Sequence, residues 1–408
     1  MIGRAVATLA PTSVAELQSV LRDVNERGDA LVIEGGKTHA GMGYPPERDA
    51  AALSTGKLKR VIAYEFADLT VSVEAGLTVR ALRAALAERG QFIPIDVPRA
   101  HEATIGGSLA TAWLGPRRHL FGRPRDYIIG SKMVLADGTI ACAGGMVVKN
   151  VAGYDMSRLY VGSFGTLGVL ASANFKTLPA PASARAFVAK LPEGTRLRAM
   201  AQVQALAIPP SAALWVHGFR KSIDGDEGDD GRMFVLLEGS NDLISRATRD
   251  LRSALGRAGV PETTIIDGGA RDAYDRALDA LAANIGERSL TYRILGGPDD
   301  IDDGLRAAYA CAHLHELTAE SVVDVINGDL YFRVNGKDAH AFSERAEIFD
   351  EAFHLRFPKA IVVASASPMR AALQVWGEPP NAIERMRNLK KQFDPKRTLN
   401  PGRFVGAI

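Results

Sequence analysis

The residues best suited to chemistry in this chain are glycines rather than acids or nucleophiles. "VIEGGKTHAGMG", Val32 to Gly43, gathers Gly35, Gly36, Gly41 and Gly43 around Lys37, Thr38 and His39. Gly36-Lys37-Thr38 matches the end of a P-loop, G-x-x-x-x-G-K-[ST], whose amides and lysine hold a nucleotide's phosphates. The match fails twice. Leu31 stands where the first glycine belongs, and Gly41, Gly43, Pro45 and Pro46 follow where the helix should run. The dinucleotide fingerprint G-x-G-x-x-G also lacks its third glycine in register. What remains is an apolar strand, "ALVIE", entering a glycine-rich turn. That turn is either an anion nest of successive main-chain N–H groups or a plain surface turn.

A second such turn, "TIGGSLAT", sets Thr104, Gly106, Gly107 and Ser108 at the start of a short helical run, whose N-terminus favours anions. Two such turns suit a diphosphate, because amides satisfy its acceptor oxygens without a lysine; the other reading is two unrelated turns. A third element, "KNVAGYDMSRLYVGSFGTLGVL", repeats Gly162, Gly165 and Gly168 before an apolar strand, a backbone able to lie flat against an aromatic ring. Asp155 and Arg158 within it are spaced to pair across one helical turn.

Other chemistry is sparse. "IDGDEGDDG" carries five acids between Asp224 and Asp230 but lacks the oxygen spacing of a calcium loop, so it reads as solvated. Cys311 and His315 share a helical face, His313 does not, and two ligands do not make a metal site. Arg117 and Arg118, in "LGPRRHLFGRPRD", could grip a substrate carboxylate, meet an acidic partner or lie in solvent. No catalytic acid–base pair stands out.

The elements that must position these groups fall into two halves. Residues 11–28 read as a helix that Thr12 or Ser13 can cap, with Glu16 three after Ser13 and Gly28 ending it; Val61–Tyr64 and Leu69–Glu74 alternate as strands, and Thr78 opens a helix to Arg89. "YIIGSKMVLADGTIAC" predicts a hairpin with Asp137-Gly138 as a type I′ turn. Pro179 and Pro181 mark a boundary. Beyond it, "ARAFVAKL", "SAALWVHGF", "RMFVLLEGS", "LTYRILG" and "SVVDVINGDLYFRV" are strand-like, interspersed with helices. The pattern predicts an antiparallel α+β domain with helices on one face. A helix, "NAIERMRNLKKQF", then precedes "DPKRTLNPGRF", which Pro395 and Pro401 keep from being helical.

Composition sets bounds. A 408-residue chain suggests two or three domains, and a net charge of +2 leaves no electrostatic footprint for nucleic acid. The 40 glycines exceed the usual share of ~7% and concentrate in the first half. Two cysteines, Cys142 and Cys311, cannot by themselves hold an iron–sulfur cluster or structural zinc, and fit a cytoplasmic chain. The N-terminus lacks the long apolar core of a secretory signal, and no run of 18 apolar residues could span a membrane.

The three glycine elements, in this order, resemble the vanillyl-alcohol-oxidase or PCMH type of FAD-binding fold, over about residues 10–180 and the tail. "GGKTH" resembles its first pyrophosphate loop and "ATIGGSLAT" its second. "GYDMSRLYVGSFGTLGVL" and "DPKRTLNPGRF" resemble signatures of the 2-hydroxy-acid dehydrogenase branch. "LGPRRHLFGRPRDYIIG" is similar to the FAD-binding E subunits of glycolate oxidases. This implies an α+β architecture: a two-subdomain PCMH-type FAD-binding domain over 1–180, an antiparallel α+β cap domain over 181–375, and a segment over 376–408 returning to the first.

For the site, the resemblance implies that Gly35, Gly36, Lys37 and Thr38 hold the diphosphate through amides, with His39 beside them. Thr104, Gly106, Gly107 and Ser108 would close on it. Asp126, Gly168 and Val169 would line the adenosine or ring portion, and Asn400 would lie near the flavin. Covalent members place a histidine where Lys37 stands, so FAD is expected to be non-covalent. Catalytic members of the branch carry a metal-binding "GDGNLH"-like stretch; the nearest here, "NGDLYFRV", has no histidine, so no metal is assigned. The implied partners are a catalytic flavoprotein subunit and an iron–sulfur subunit, with glycolate as substrate and membrane association only through partners. The alternatives are a stand-alone FAD-dependent 2-hydroxy-acid dehydrogenase and a non-catalytic scaffold with a vestigial FAD site.

Overall fold

A computed structural model describes residues 8–147, 153–218, 231–260, 262–279, 281, 288–366 and 369–408. The acidic run Asp224–Asp230 and residues 149–152, where the third glycine element begins, lie outside the described residues. Contacts divide the chain into two units. The first comprises Met1–Gly115, Gly122–Ala180 and Pro379–Ile408; the second comprises Pro116–Phe121 and Pro181–Glu378.

The first unit holds a three-stranded parallel sheet, in the order Thr8–Leu9, Ala50–Ser54, Ala30–Glu34. The helix Val14–Arg27 starts where Ser13 accepts the Glu16 N–H and stops at Gly28, whose φ of 73° closes it in the left-handed region. Its Leu17, Leu21 and Val24 pack with Leu31, Leu53, Val169 and Leu399 in one apolar cluster. Burying each leucine of this kind contributes roughly 1.5–3 kcal/mol. Leu399 comes from the tail, which lies alongside Ala30–Glu34: Leu31 N–H donates to Thr398 O at 2.7 Å, and Asn400 N–H to Leu31 O at 2.8 Å.

A five-stranded antiparallel sheet completes this unit, in the order Val61–Glu65, Thr70–Glu74, Val169–Lys176, Ile128–Val134, Ile140–Gly144. The expected type I′ turn is not the one formed. Gly138 has φ 83°, but Asp137 is not left-handed, and Gly138 N–H donates to Leu135 O. The hairpin therefore closes through a longer turn with one left-handed glycine, which only Gly138 needs to satisfy.

The second unit is built on an eight-stranded antiparallel sheet. Its register places His217, Ser321, Phe332 and Tyr292 on one face. There Tyr292 meets Phe349 and Phe353 of helix Ala339–Arg356, and Phe332 meets Tyr309 of helix Ile301–Leu314. One helix departs from the expected single layer. Ala270–Asp279 sets Tyr274 against Phe234, which the register assigns to the opposite face with Leu214 and Asp324.

Candidate functional site

Strand Ala30–Glu34 delivers the first glycine turn to the start of the second. A Cβ on Gly35 would lie 2.1 Å from Thr104 Oγ1, and one on Gly36 only 1.7 Å from the Glu102 carbonyl oxygen. Only glycine lets the two turns approach this closely. The amides of Gly35 through His39 meet no main-chain acceptor among the described residues. Lys37, at φ 57°, turns its ammonium back onto Glu34 at 2.7 Å, so what it presents to this turn is main chain.

The second turn behaves differently. Thr104 caps helix Ile105–Thr111 by accepting the Gly107 N–H, and Ser108 donates both its N–H and its hydroxyl to Thr104 O. Gly106 N–H donates to Ala75 O at 2.7 Å. These three amides are used inside the chain, and the turn is packed as well as hydrogen-bonded. Gly106 is needed because a Cβ there would sit 2.9 Å from that of Ala75.

The third element joins the first through the tail. Phe164, at φ 55°, lies so close that a Cβ on Gly43 would come within 2.7 Å of its ring. Asn400 accepts the Ile33 N–H at 3.0 Å and donates to Phe164 O at 2.7 Å. Its side-chain amide is thus a strut between strand and loop. Lys390 acts alike: its ammonium donates to Thr166 O, Leu399 O and the Asp394 carboxylate, at 2.9, 2.8 and 2.6 Å. Burial pulls its pKa down against the pull of Asp394.

The other expected residues lie elsewhere in this unit. Asp126 accepts the Arg123 N–H at 2.7 Å and caps a local turn. A Cβ on Gly168 would lie 2.9 Å from Met133 Cε, and Val169 is in the apolar core.

His39 was expected here, but its surroundings and the nearby Arg99 were not. His39 packs its ring on Trp113, with centroids 4.7 Å apart, and Nδ1 is 3.1 Å from Thr38 Oγ1. Its Nε2 is buried without a hydrogen-bond partner. Burial, and then the charge of Arg99, lower its pKa to about 4, so the ring is neutral. Arg99, in "PRAHEAT" ahead of the second turn, therefore adds positive potential beside the first. A proline–arginine pair before a glycine turn was the available signal, and it is weak. Among the described residues, a row of amides with no main-chain acceptor and a buried nitrogen without a partner together fit a diphosphate, with the Arg99 guanidinium nearby on Glu102.

In the second unit, the arginine pair has a definite place. Arg117 Nη1 lies 3.0 Å from Glu238 Oε2. Arg118 bridges Asp324 at 3.2 Å and Asp329 at 2.8 Å, while Arg293 reaches Asp329 at 2.5 Å. Neither arginine is simply solvated. The carboxylates next to "NGDLYFRV" are thereby taken by guanidinium groups. Burial pushes Asp324 up to about 7 despite Arg118. Among the described residues no group of three or more His, Cys, Asp or Glu is arranged to hold a metal. His315 instead packs edge-on to Phe349, burial raises the Cys311 thiol, and both cysteines are free.

Comparison with known proteins agrees with this geometry. Residues 5–144 match the family model for an FAD binding domain. Glycolate oxidase subunit GlcE of Escherichia coli (strain K12) is 33% identical over 54% of this chain and 64% of its own length. Glycolate oxidase subunit GlcD of Bacillus subtilis (strain 168) is 33% identical over 45% of this chain and 39% of its own. The chain thus spans less than two thirds of these curated relatives. D-lactate dehydrogenase of Archaeoglobus fulgidus is 27% identical over 98% of this chain and 91% of its own. Among solved structures, p-cresol methylhydroxylase with substrate bound superposes with a TM-score of 0.71 at 16% identity, covering 97% of this chain and 88% of that one. An alkyldihydroxyacetonephosphate synthase gives 0.71 at 14% identity, covering 97% and 75%. The chain has the PCMH-type FAD-binding fold, in which an α+β FAD-binding domain carries an antiparallel α+β cap. Its cofactor is FAD. Among the described residues no helix is long and apolar enough to cross a membrane.

Proposed function

We propose that the chain is the FAD-carrying subunit of a glycolate oxidase-type complex. The complex would oxidise glycolate to glyoxylate and pass electrons to an iron–sulfur subunit, alongside a catalytic flavoprotein subunit. The observation that carries this reading is the 33% identity to glycolate oxidase subunit GlcE. FAD is held non-covalently, because Lys37 stands where a covalent link would need histidine. When bound, FAD supplies the redox chemistry, and the protein supplies binding and orientation. The amides of Gly35 to Thr38 hold its diphosphate. Thr104, Gly106 and Ser108 shape the facing turn, while Asn400 and Lys390 fix the strand and loop that frame it. The complex works in the cytoplasm and reaches a membrane only through partners.

A second reading, a stand-alone 2-hydroxy-acid dehydrogenase, draws support from the D-lactate dehydrogenase match along 98% of the chain. The visible absorbance of the purified chain, followed by anaerobic addition of glycolate and of D-lactate, separates the two. A bound flavin that stays oxidised until partner subunits are added supports the first. Bleaching by either acid alone overturns it in favour of the second.

A further inference from the structure

We propose that His39 donates a hydrogen bond from Nε2 to the diphosphate of bound FAD. This deepens the placement of the diphosphate at the first glycine turn and rests on it. The ring has two nitrogens to account for. Nδ1 lies 3.1 Å from Thr38 Oγ1, a contact either tautomer can make, and a diphosphate, which only accepts, selects the one in which the Thr38 hydroxyl donates to Nδ1. A neutral imidazole that accepts at Nδ1 carries its hydrogen on Nε2. That atom is buried and has no partner among the described residues. Buried polar atoms are seldom left so, and a molecule bound here would supply the acceptor.

The ring is not free to turn away, because it rests on the Trp113 indole at 4.7 Å and 49°. The chemistry of the acceptor follows from the surroundings. Four residues with unengaged amides, Gly35 to Thr38, lead directly into His39. Arg99 acts electrostatically on the same ring. The row of amides favours an anion over the uncharged flavin ring, even though the Arg99 guanidinium is itself paired with the Glu102 carboxylate.

The test compares three full-length chains, each stripped of flavin: the natural one, His39→Phe and His39→Gln. Phenylalanine keeps the stacking on Trp113 and removes the donor, while glutamine restores an N–H near Nε2. Affinity is measured for FAD and for ADP, which carries the diphosphate without the flavin. Phenylalanine is expected to weaken both by about tenfold or more, with glutamine recovering part of the loss. The melting temperature of the flavin-free proteins should stay level, and the natural chain's Nε2 ¹⁵N signal should shift on ADP binding. Unchanged affinities in His39→Phe would overturn the proposal. So would a loss confined to FAD, which would move the donor to the flavin end. A natural chain that binds neither ligand would sink the FAD-site reading itself, before any variant is compared.

Discussion

Replacing Gly36 by alanine would drive a methyl group to 1.7 Å from the Glu102 carbonyl oxygen, a main-chain atom with no rotamer to retreat into. Gly35→Ala meets the side chain of Thr104 instead, which can turn aside. Overpacking of this kind costs about 1–3 kcal/mol, and here it separates the two turns. Gly36→Ala should therefore weaken FAD binding by roughly tenfold or more, and Gly35→Ala by less. Flavin retained on gel filtration measures both, and equal retention in Gly36→Ala and the natural chain would refute the close approach. The clustering of glycines was legible in the sequence, but the Glu102 and Thr104 atoms that require them come from a distant turn. The destinations of the amides were no more legible. Nothing in "TIGGS" says that Gly106 donates to Ala75, and nothing in "LNPGRF" says that both ends of the Asn400 amide are spent on Ile33 and Phe164. Those partners are distant in the chain and are assigned only by the fold.

At the scale of elements, the best-read segments were those with caps. Ser13 and Thr78 each accept an N–H at a helix start, and each announces itself in sequence; Ser240 does the same, but in sequence it reads as part of the strand before it. Ala50–Ser54 gave no such sign. Its "AAALS" has little strand propensity, and it is a strand because it pairs on both sides in the parallel sheet. The join between helix Ala339–Arg356 and strand Ile361–Ser365 was equally hidden, yet it carries a pH response. His354 Nδ1 faces Asp350, 3.0 Å from its carbonyl and 3.2 Å from its carboxylate, and Nε2 faces Ala360 O at 3.1 Å. Both nitrogens meet acceptors, so the imidazolium fits best. Burial works against that charge, but the Asp350 carboxylate and these hydrogen bonds leave the pKa raised. A raised histidine stabilises the fold fully below its unfolded value of about 6.5, and that contribution is lost as pH rises through the folded value. The stability gap between the natural chain and His354→Gln should therefore narrow from pH 6 upward in urea titrations. A gap independent of pH would show that the ring contributes packing alone.

The molecule as a whole is not two consecutive blocks of sequence. The second unit takes in Pro116–Phe121, far upstream of its main span, and the first takes back Pro379–Ile408. The short upstream piece is pinned by charge. Arg117 meets Glu238, Arg118 meets Asp324 and Asp329, and His119 Nε2 lies 2.8 Å from Pro210 O. All three carboxylates are at least 97% hidden from solvent, with exposures of 1%, 3% and 2%. Removing one partner of a buried ion pair costs up to about 3–5 kcal/mol when the remaining charge stays desolvated; Asp324, already raised to about 7 beside Arg118, sheds part of that cost by taking up a proton. Residues 181–378 expressed alone keep Arg271 on Glu238 and Arg293 on Asp329, but leave Asp324 without Arg118. That fragment should therefore unfold at clearly lower urea than the same region of the full chain. Arg118→Met in the full chain should reproduce part of the loss. Adding Asp324→Asn should recover some of it, since the Asp324 carboxylate, still bonded by Asn327, has then lost its ion-pair partner. If Arg118→Met leaves the transition where it was, the segment is held by something other than these ion pairs, and its assignment to the second unit has a different physical cause.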